Sequence, residues 1–175
     1  EVIEDTLTGN LCRCTGYEPI IKAAVHACSC VDTDKFTRHE AKIVSLLEDI
    51  NLDKSPVEIH SKKQKYFKPF TLSDALEFRR KYPEAIVVSG ASDIALRQTK
   101  KHEFLSEIID LSAIVELNYF REDGQNYIIG SGLTLEQLKL HSFGKLPAMN
   151  KILGVFGSLQ IRNLATIGGN IGSAS

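Results

Sequence analysis

Gln160-Ile161-Arg162-Asn163-Leu164-Ala165-Thr166-Ile167-Gly168-Gly169-Asn170-Ile171-Gly172-Ser173-Ala174-Ser175 is the stretch that decides how this 175-residue chain is read, together with Val87-Val88-Ser89-Gly90-Ala91-Ser92-Asp93-Ile94. Both segments set glycine and small hydroxyl residues at the end of an apolar run or between short ones. Such runs bring bare backbone N–H groups against a phosphate. Two of them in one chain point to a ligand with two phosphates, such as a dinucleotide. Near the start, Cys12-Arg13-Cys14 points to a metal centre beside it.

In Val87–Ile94, an apolar strand delivers the chain into Ser89-Gly90-Ala91-Ser92. Gly90 takes positive φ at no steric cost, and its small neighbours let a ligand lie on the main chain. The residues after it begin a helix whose first N–H groups and dipole favour an anion. Glycine at a strand–turn–helix junction also serves chain geometry alone, so this segment carries either reading. In Thr166-Ile167-Gly168-Gly169-Asn170, adjacent glycines weaken any strand or helix. That bareness requires a tight turn or a bound ligand. Thr166, Asn170 and Ser173 add side-chain donors.

Length and composition fit one full domain, or one domain plus part of another. The net charge of −1 and the scattered basic residues argue against nucleic acid as a partner. No apolar run approaches the roughly 20 residues that span a bilayer, and the acidic, polar start is unlike a secretory signal. The 4 cysteines form two C-x-C pairs, Cys12/Cys14 and Cys28/Cys30. A secreted scaffold spreads its bridges through the fold, so these read as cytosolic thiols or metal ligands. The chain starts at Glu1 and ends inside a glycine-rich motif, and so reads as a fragment.

Hydrophobic periodicity gives the expected elements. Residues 1–31 read as helical, broken at Thr8-Gly9-Asn10, with Pro19 as a first helical residue and Ile20, Ile21, Ala24 and Cys28 on one face. Residues 32–64 read as a linker, with a short helix at Lys42–Ile50 and a Ser55-Pro56 break. Beyond Tyr66 come a helix around Leu72–Arg79 capped by Thr71 or Ser73, a strand at Ala85–Ser89, a helix at Ser92–Lys100 and a strand at Glu107–Leu111. Val115–Phe120 and Asn126–Gly130 pair across Glu122-Asp123-Gly124. Thr134-Leu135-Glu136-Gln137 opens a helix as a capping box. Asn150–Ile161 is a further helix, weakened by Gly154 and Gly157.

These motifs carry a resemblance. Gln160–Ser175 resembles the flavin-binding signature of the xanthine dehydrogenase family, and Val87–Ile94 resembles that family's first flavin loop. Asn10-Leu11-Cys12-Arg13-Cys14-Thr15-Gly16-Tyr17 resembles the second half of its second iron–sulfur motif, in the same order along the chain. Carbon monoxide dehydrogenase and other molybdenum hydroxylases share these motifs. The resemblance implies the small, iron–sulfur and FAD-binding subunit of such an enzyme. Its fold is then α+β: a helical remnant of a [2Fe–2S] domain over 1–31, a linker over 32–64, and the first part of a PCMH-type FAD-binding α/β domain over 65–175.

It implies further that Val87, Val88, Ser89, Gly90, Ala91, Ser92, Asp93 and Ile94 wrap the FAD pyrophosphate and ribose. Thr166, Ile167, Gly168, Gly169 and Asn170 form the second FAD contact, and Ser173 matches a further hydroxyl contact. Phe156 aligns with an aromatic that lies against the cofactor; a core phenylalanine is the other reading. Ala91 stands where animal members commonly have asparagine. Cys12 and Cys14 would hold half of a [2Fe–2S] cluster, whose upstream C-x-x-C partner pair is absent from this chain. Cys28 reads as a buried small thiol and Cys30 as a free one. The implied partners are a large subunit carrying the molybdenum cofactor, in a cytoplasmic hetero-oligomer, and NAD⁺ as electron acceptor. No side chain is implied as acid or base. The competing class is a non-enzymatic module in which four cysteines hold zinc, or which serves assembly, and the glycine turns are structural.

Overall fold

Pro19 lies in the first turn of a helix, where a residue without an N–H costs nothing. That helix is α2 (Glu18–Cys28), preceded by α1 (Val2–Leu7) and followed by α3 (Lys35–Arg38) and α4 (Glu40–Ile50). The Asp34 side chain caps α3 by accepting from the Thr37 amide at 2.7 Å. This bond holds the Asp34 carboxyl below its ordinary pKa. The computed structural model describes residues 2–11, 16–30, 33–50 and 53–174. It divides into two units, Glu1–Lys54 and Ser55–Ser175. No residue of the four helices of the first unit is buried.

The second unit begins with β1 (Val57–His60) and β2 (Lys65–Lys68), followed by α5 (Leu72–Lys81), β3 (Ile86–Val88), α6 (Ala95–Thr99) and β4 (Glu107–Asp110). The sheet order is β1-β2-β4-β3, with β1 antiparallel to β2 and the other neighbours parallel. Phe67 and Ile109 face each other across β2 and β4 and are 0% and 1% exposed. With Phe78 and Ala85 they form the first core, and Tyr82 stacks on Phe67 with ring centroids 4.3 Å apart. Thr71 caps α5 through its side chain, which accepts from the Asp74 amide.

Residues 57–60 differ from the linker reading of that region. They form β1, and Ser61 closes the turn to β2 by accepting from the amides of Lys63 and Gln64. Val57 and Ile59 alternate with Glu58 and His60, but a four-residue alternation is short and every side chain of β1 is exposed, so no buried face marks the strand.

A 3₁₀ turn at Val115–Leu117 precedes the hairpin of β5 (Phe120–Asp123) and β6 (Asn126–Ile129). The first hairpin strand therefore starts where it was expected to end. Close backbone contact with the glycines after β6 accounts for the shift: the Leu117 carbonyl accepts from the Gly132 amide at 2.8 Å. A Cβ on Gly130 would stand 2.2 Å from that carbonyl oxygen.

The chain closes with α7 (Leu135–Ser142), α8 (Pro147–Val155), α9 (Leu159–Leu164) and α10 (Ile167–Gly172). Thr134 and Gln137 make the expected capping box on α7. The helix expected over Asn150–Ile161 is instead two, because Gly157 adopts φ +60° between α8 and α9. Leu133, Leu135, Leu138 and Leu153 form the second core. The architecture is α+β, as expected. Among the described residues no helix is long and apolar enough to cross a membrane.

Candidate functional site

β3 feeds the segment Ser89–Ile94 from the edge of the sheet. The expected role of Gly90 needs correcting. Its φ is outside the left-handed region, and the positive φ falls on the next residue, Ala91, at 55°. Gly90 is bare because the end of α9 presses on it: a Cβ there would stand 1.6 Å from the Leu164 carbonyl oxygen. The expected helix also starts later. α6 begins at Ala95 and is 5 residues long, too short and too far down the chain for its dipole to matter at Ser89–Ser92. What remains is the loop backbone. Among the described residues, the amides of Ser89, Gly90, Ala91 and Ser92 have no hydrogen-bond partner within the chain.

The glycine pair of the second segment is helical, lying within α10. Thr166 caps this helix, its Oγ1 accepting from the Gly169 amide at 3.1 Å. The Gly168 amide donates to the Ser131 carbonyl at 2.9 Å and the Asn170 amide to the Thr166 carbonyl at 2.9 Å. The amides of Gly168 and Gly169 are thus already occupied, which corrects the reading of them as uncovered donors. Gly168 lacks a side chain for contact: a Cβ would come within 2.7 Å of both the Cβ and the carbonyl oxygen of Ser131.

Both segments open on one cavity of about 700 Å³. Val87, Val88, Ser89, Gly90, Ala91, Ser92, Asp93 and Ile94 line it from the first segment. Phe156, Thr166, Gly168, Gly169, Asn170 and Ser173 line it from the second part of the chain. Of the expected cofactor residues, Ile167 alone does not line the cavity; it packs on the second core instead. Phe156 joins its two readings, since it lines the cavity and also packs on that core.

Among the described residues the lining includes no lysine, arginine or histidine, and its one acidic residue is Asp93. Apart from Asp93 the lining side chains are neutral. Leu111, Leu117, Ser131, Gly132, Ile161, Ala165 and Gly172 complete the wall and were not singled out from sequence. Gly130-Ser131-Gly132 carried a usable signal, because it ends the apolar run Tyr127–Ile129 in the same way that Ser89-Gly90 ends Ile86–Val88.

Cys12 and Cys14 lie outside the described residues. Cys28 and Cys30 are both free and exposed, which corrects the buried reading of Cys28. Among the described residues, no three His, Cys, Asp or Glu side chains gather as they would to hold a metal ion.

Residues 60–175 match the family described as FAD binding domain in molybdopterin dehydrogenase, and the chain belongs to that family. It is 30% identical to aldehyde oxidase 1 of Macaca fascicularis, over 97% of this chain and 16% of that protein. It is 25% identical to xanthine dehydrogenase of Oryza sativa subsp. japonica, over 100% of this chain and 18% of the relative. Reconstituted CO dehydrogenase from Oligotropha carboxidovorans superposes with a TM-score of 0.55 at 28% identity, over 64% of this chain and 40% of that one. The chain therefore spans about a sixth of the length of the curated relatives it matches.

Proposed function

We propose that the cavity binds FAD and that the chain is the flavin-binding, electron-transferring part of a xanthine dehydrogenase-like molybdenum hydroxylase. The observation that carries this is the set of unpartnered amides at Ser89–Ser92, facing a cavity whose lining has no cationic side chain. A charge-assisted hydrogen bond contributes roughly 1.5–3 kcal/mol, so several such donors hold a pyrophosphate without lysine or arginine. The volume lies in the range of cofactor clefts, roughly 300–1,000 Å³. The residues fit the group.

In this reading Ser89–Ser92 bind the pyrophosphate and Asp93 lies by the ribose. Thr166, Asn170 and Ser173 contribute side-chain polar atoms, and Phe156 gives an apolar surface for a ring. When bound, FAD supplies the chemistry that links electron donors in the enzyme to a hydride acceptor, NAD⁺ in the xanthine dehydrogenase-like case. The chain's own contribution is to bind and orient.

The rest of the proposal follows the family. A [2Fe–2S] cluster would take Cys12 and Cys14 as two of its thiolates and needs two further ligands. The domain reading keeps residues 1–31 as the end of a [2Fe–2S] domain, 32–64 as a linker and 65–175 as the first part of a FAD domain. A molybdenum-cofactor subunit is the proposed partner in a cytoplasmic hetero-oligomer. Support for this wider setting comes from the names of the relatives: aldehyde oxidase, xanthine dehydrogenase and CO dehydrogenase.

Titration of the chain with FAD, FMN and riboflavin, followed by flavin fluorescence and visible absorption, tests the assignment. FAD is expected to bind at least about tenfold tighter than FMN, one strong pyrophosphate hydrogen bond being worth that factor. Equal affinity for all three flavins, or no saturable binding of FAD, overturns the reading.

A further inference from the structure

Arg162 on α9 is 1% exposed. Its Nε donates to Glu136 Oε2 on α7 at 2.5 Å. Its Nη1 donates to the Gly157 carbonyl at 3.1 Å and reaches the Phe156 carbonyl at 3.5 Å. A planar guanidinium is suited to this, because its donors diverge in fixed directions. One side chain thereby ties α7 to the turn that carries Phe156. The same helix ends at Leu164, whose carbonyl lies against Gly90. α9 is thus the strut between the two walls of the cavity, with the Phe156–Gly157 turn at its start and the Ser89–Ser92 loop at its end.

We propose that Arg162, buried against Glu136, is a positioning residue that fixes α9 and so sets Phe156 and the Ser89–Ser92 loop at the spacing a bound flavin dinucleotide requires. This rests on the FAD reading above. Arg162 does not line the cavity, so it acts through the wall and never touches the ligand. Lysine keeps the charge facing Glu136 but replaces a fork with a single point, and cannot hold the carboxylate and the Gly157 carbonyl in the same way.

The test combines Arg162→Lys, Glu136→Gln and Phe156→Ala in the whole 175-residue chain. Arg162→Lys is expected to weaken FAD binding about tenfold in an otherwise unchanged chain, and by a smaller factor in the Phe156→Ala background, where only the Ser89–Ser92 loop still depends on α9. Glu136→Gln, which keeps an acceptor for Arg162 but removes the charge facing it, is expected to weaken binding in the same direction. Hydrogen exchange without flavin gives an independent readout: amides at Phe156–Ser158 are expected to exchange faster in Arg162→Lys, with β2 and β4 unchanged. Unaltered FAD affinity in Arg162→Lys overturns the proposal, as does an equal effect in both backgrounds. If the unsubstituted chain binds no FAD, the flavin reading fails and the positioning role for flavin falls with it. Unaltered exchange at the turn in that same experiment would overturn the strut itself.

Discussion

Replacing Gly90 with alanine places a methyl group 1.6 Å from the Leu164 carbonyl oxygen, 2.4 Å from its carbon and 3.0 Å from the Ala165 nitrogen. All three neighbours are backbone atoms, so no rotamer change relieves the overlap. Either the Ser89–Ser92 loop or the end of α9 must move. Overpacking costs roughly 1–3 kcal/mol, and a clash with main chain belongs at the upper end, about 3 kcal/mol. At roughly 4 °C per kcal/mol for a unit of this size, melting should fall by about 12 °C. Two controls separate contact from conformation. Gly124→Ala meets nothing within 4 Å but sits at φ +59°, so it should cost about 1 kcal/mol, or about 4 °C. Gly154→Ala, in open space within α8, should gain about 0.5–1 kcal/mol because alanine is the better helix former. Circular dichroism melting of the three variants measures the order. FAD affinity measured alongside should drop at least about tenfold for Gly90→Ala, the loss of a single charge-assisted hydrogen bond, and stay unchanged for Gly154→Ala. Gly90→Ala melting no lower than Gly124→Ala would refute the backbone contact and the account of the loop built on it.

Two further outcomes follow from the same structure. Thr166→Ala removes the cap on the Gly169 amide of α10 and is expected to cost about 1 kcal/mol, with Thr166→Ser recovering most of it, read by thermal melting. Tyr66 donates its hydroxyl to Asp110 Oδ2 at 2.7 Å, and burial, aided by Asp110, raises its pKa above the ordinary 10.0. A raised folded-state value means that the stabilisation is complete below pH 10.0 and is lost as pH climbs from there towards the folded pKa. Urea unfolding across that range should show stability falling with pH, and Tyr66→Phe should flatten this part of the profile at a cost of about 1 kcal/mol below it.

Elements whose own residues carry the signal were legible in the sequence. Thr134 and Gln137 fix the start of α7 by chemistry confined to four residues, and the apolar run before Ser89 marks β3. Elements set by distant backbone were not. β1 exists because β2 pairs with it, and none of its side chains is buried. The register of the hairpin depends on Gly130 and Gly132 lying on Leu117, a contact that no periodicity encodes. The candidate site divides in the same way. The residues expected at the site were visible mainly as glycine and hydroxyl runs, and all but Ile167 line the cavity, whereas Leu111, Leu117, Ser131 and Gly132 were not singled out, nor were Arg162 and Glu136, since an Arg and a Glu 26 residues apart look like ordinary surface charge. Cys28 was misread because helical phase gives a face but not whether anything covers it.

Gly90 and Gly168 turn out to be bare for one reason, close packing against a neighbouring stretch of backbone, and the consequences differ. At Gly168 the contact uses the amide, which bonds to Ser131, so α10 is clamped and offers side chains rather than N–H groups. At Gly90 the contact is made through Cα, against the Leu164 carbonyl, and leaves the loop amides unpartnered. The loop is half-buried to exposed, so its donors are open to water as well as to a ligand, and their arrangement depends on what packs behind them. Here the packing of α9 holds it, and α9 is itself held by the buried ion pair to α7. The donors are therefore fixed before any anion arrives, and the binding free energy is not spent on ordering them. On the proposed FAD reading, that is how a cavity whose lining among the described residues has no cationic side chain would hold a phosphate, and why its affinity should respond more to changes at Leu164, Gly90 and Arg162 than to removal of any surface lysine.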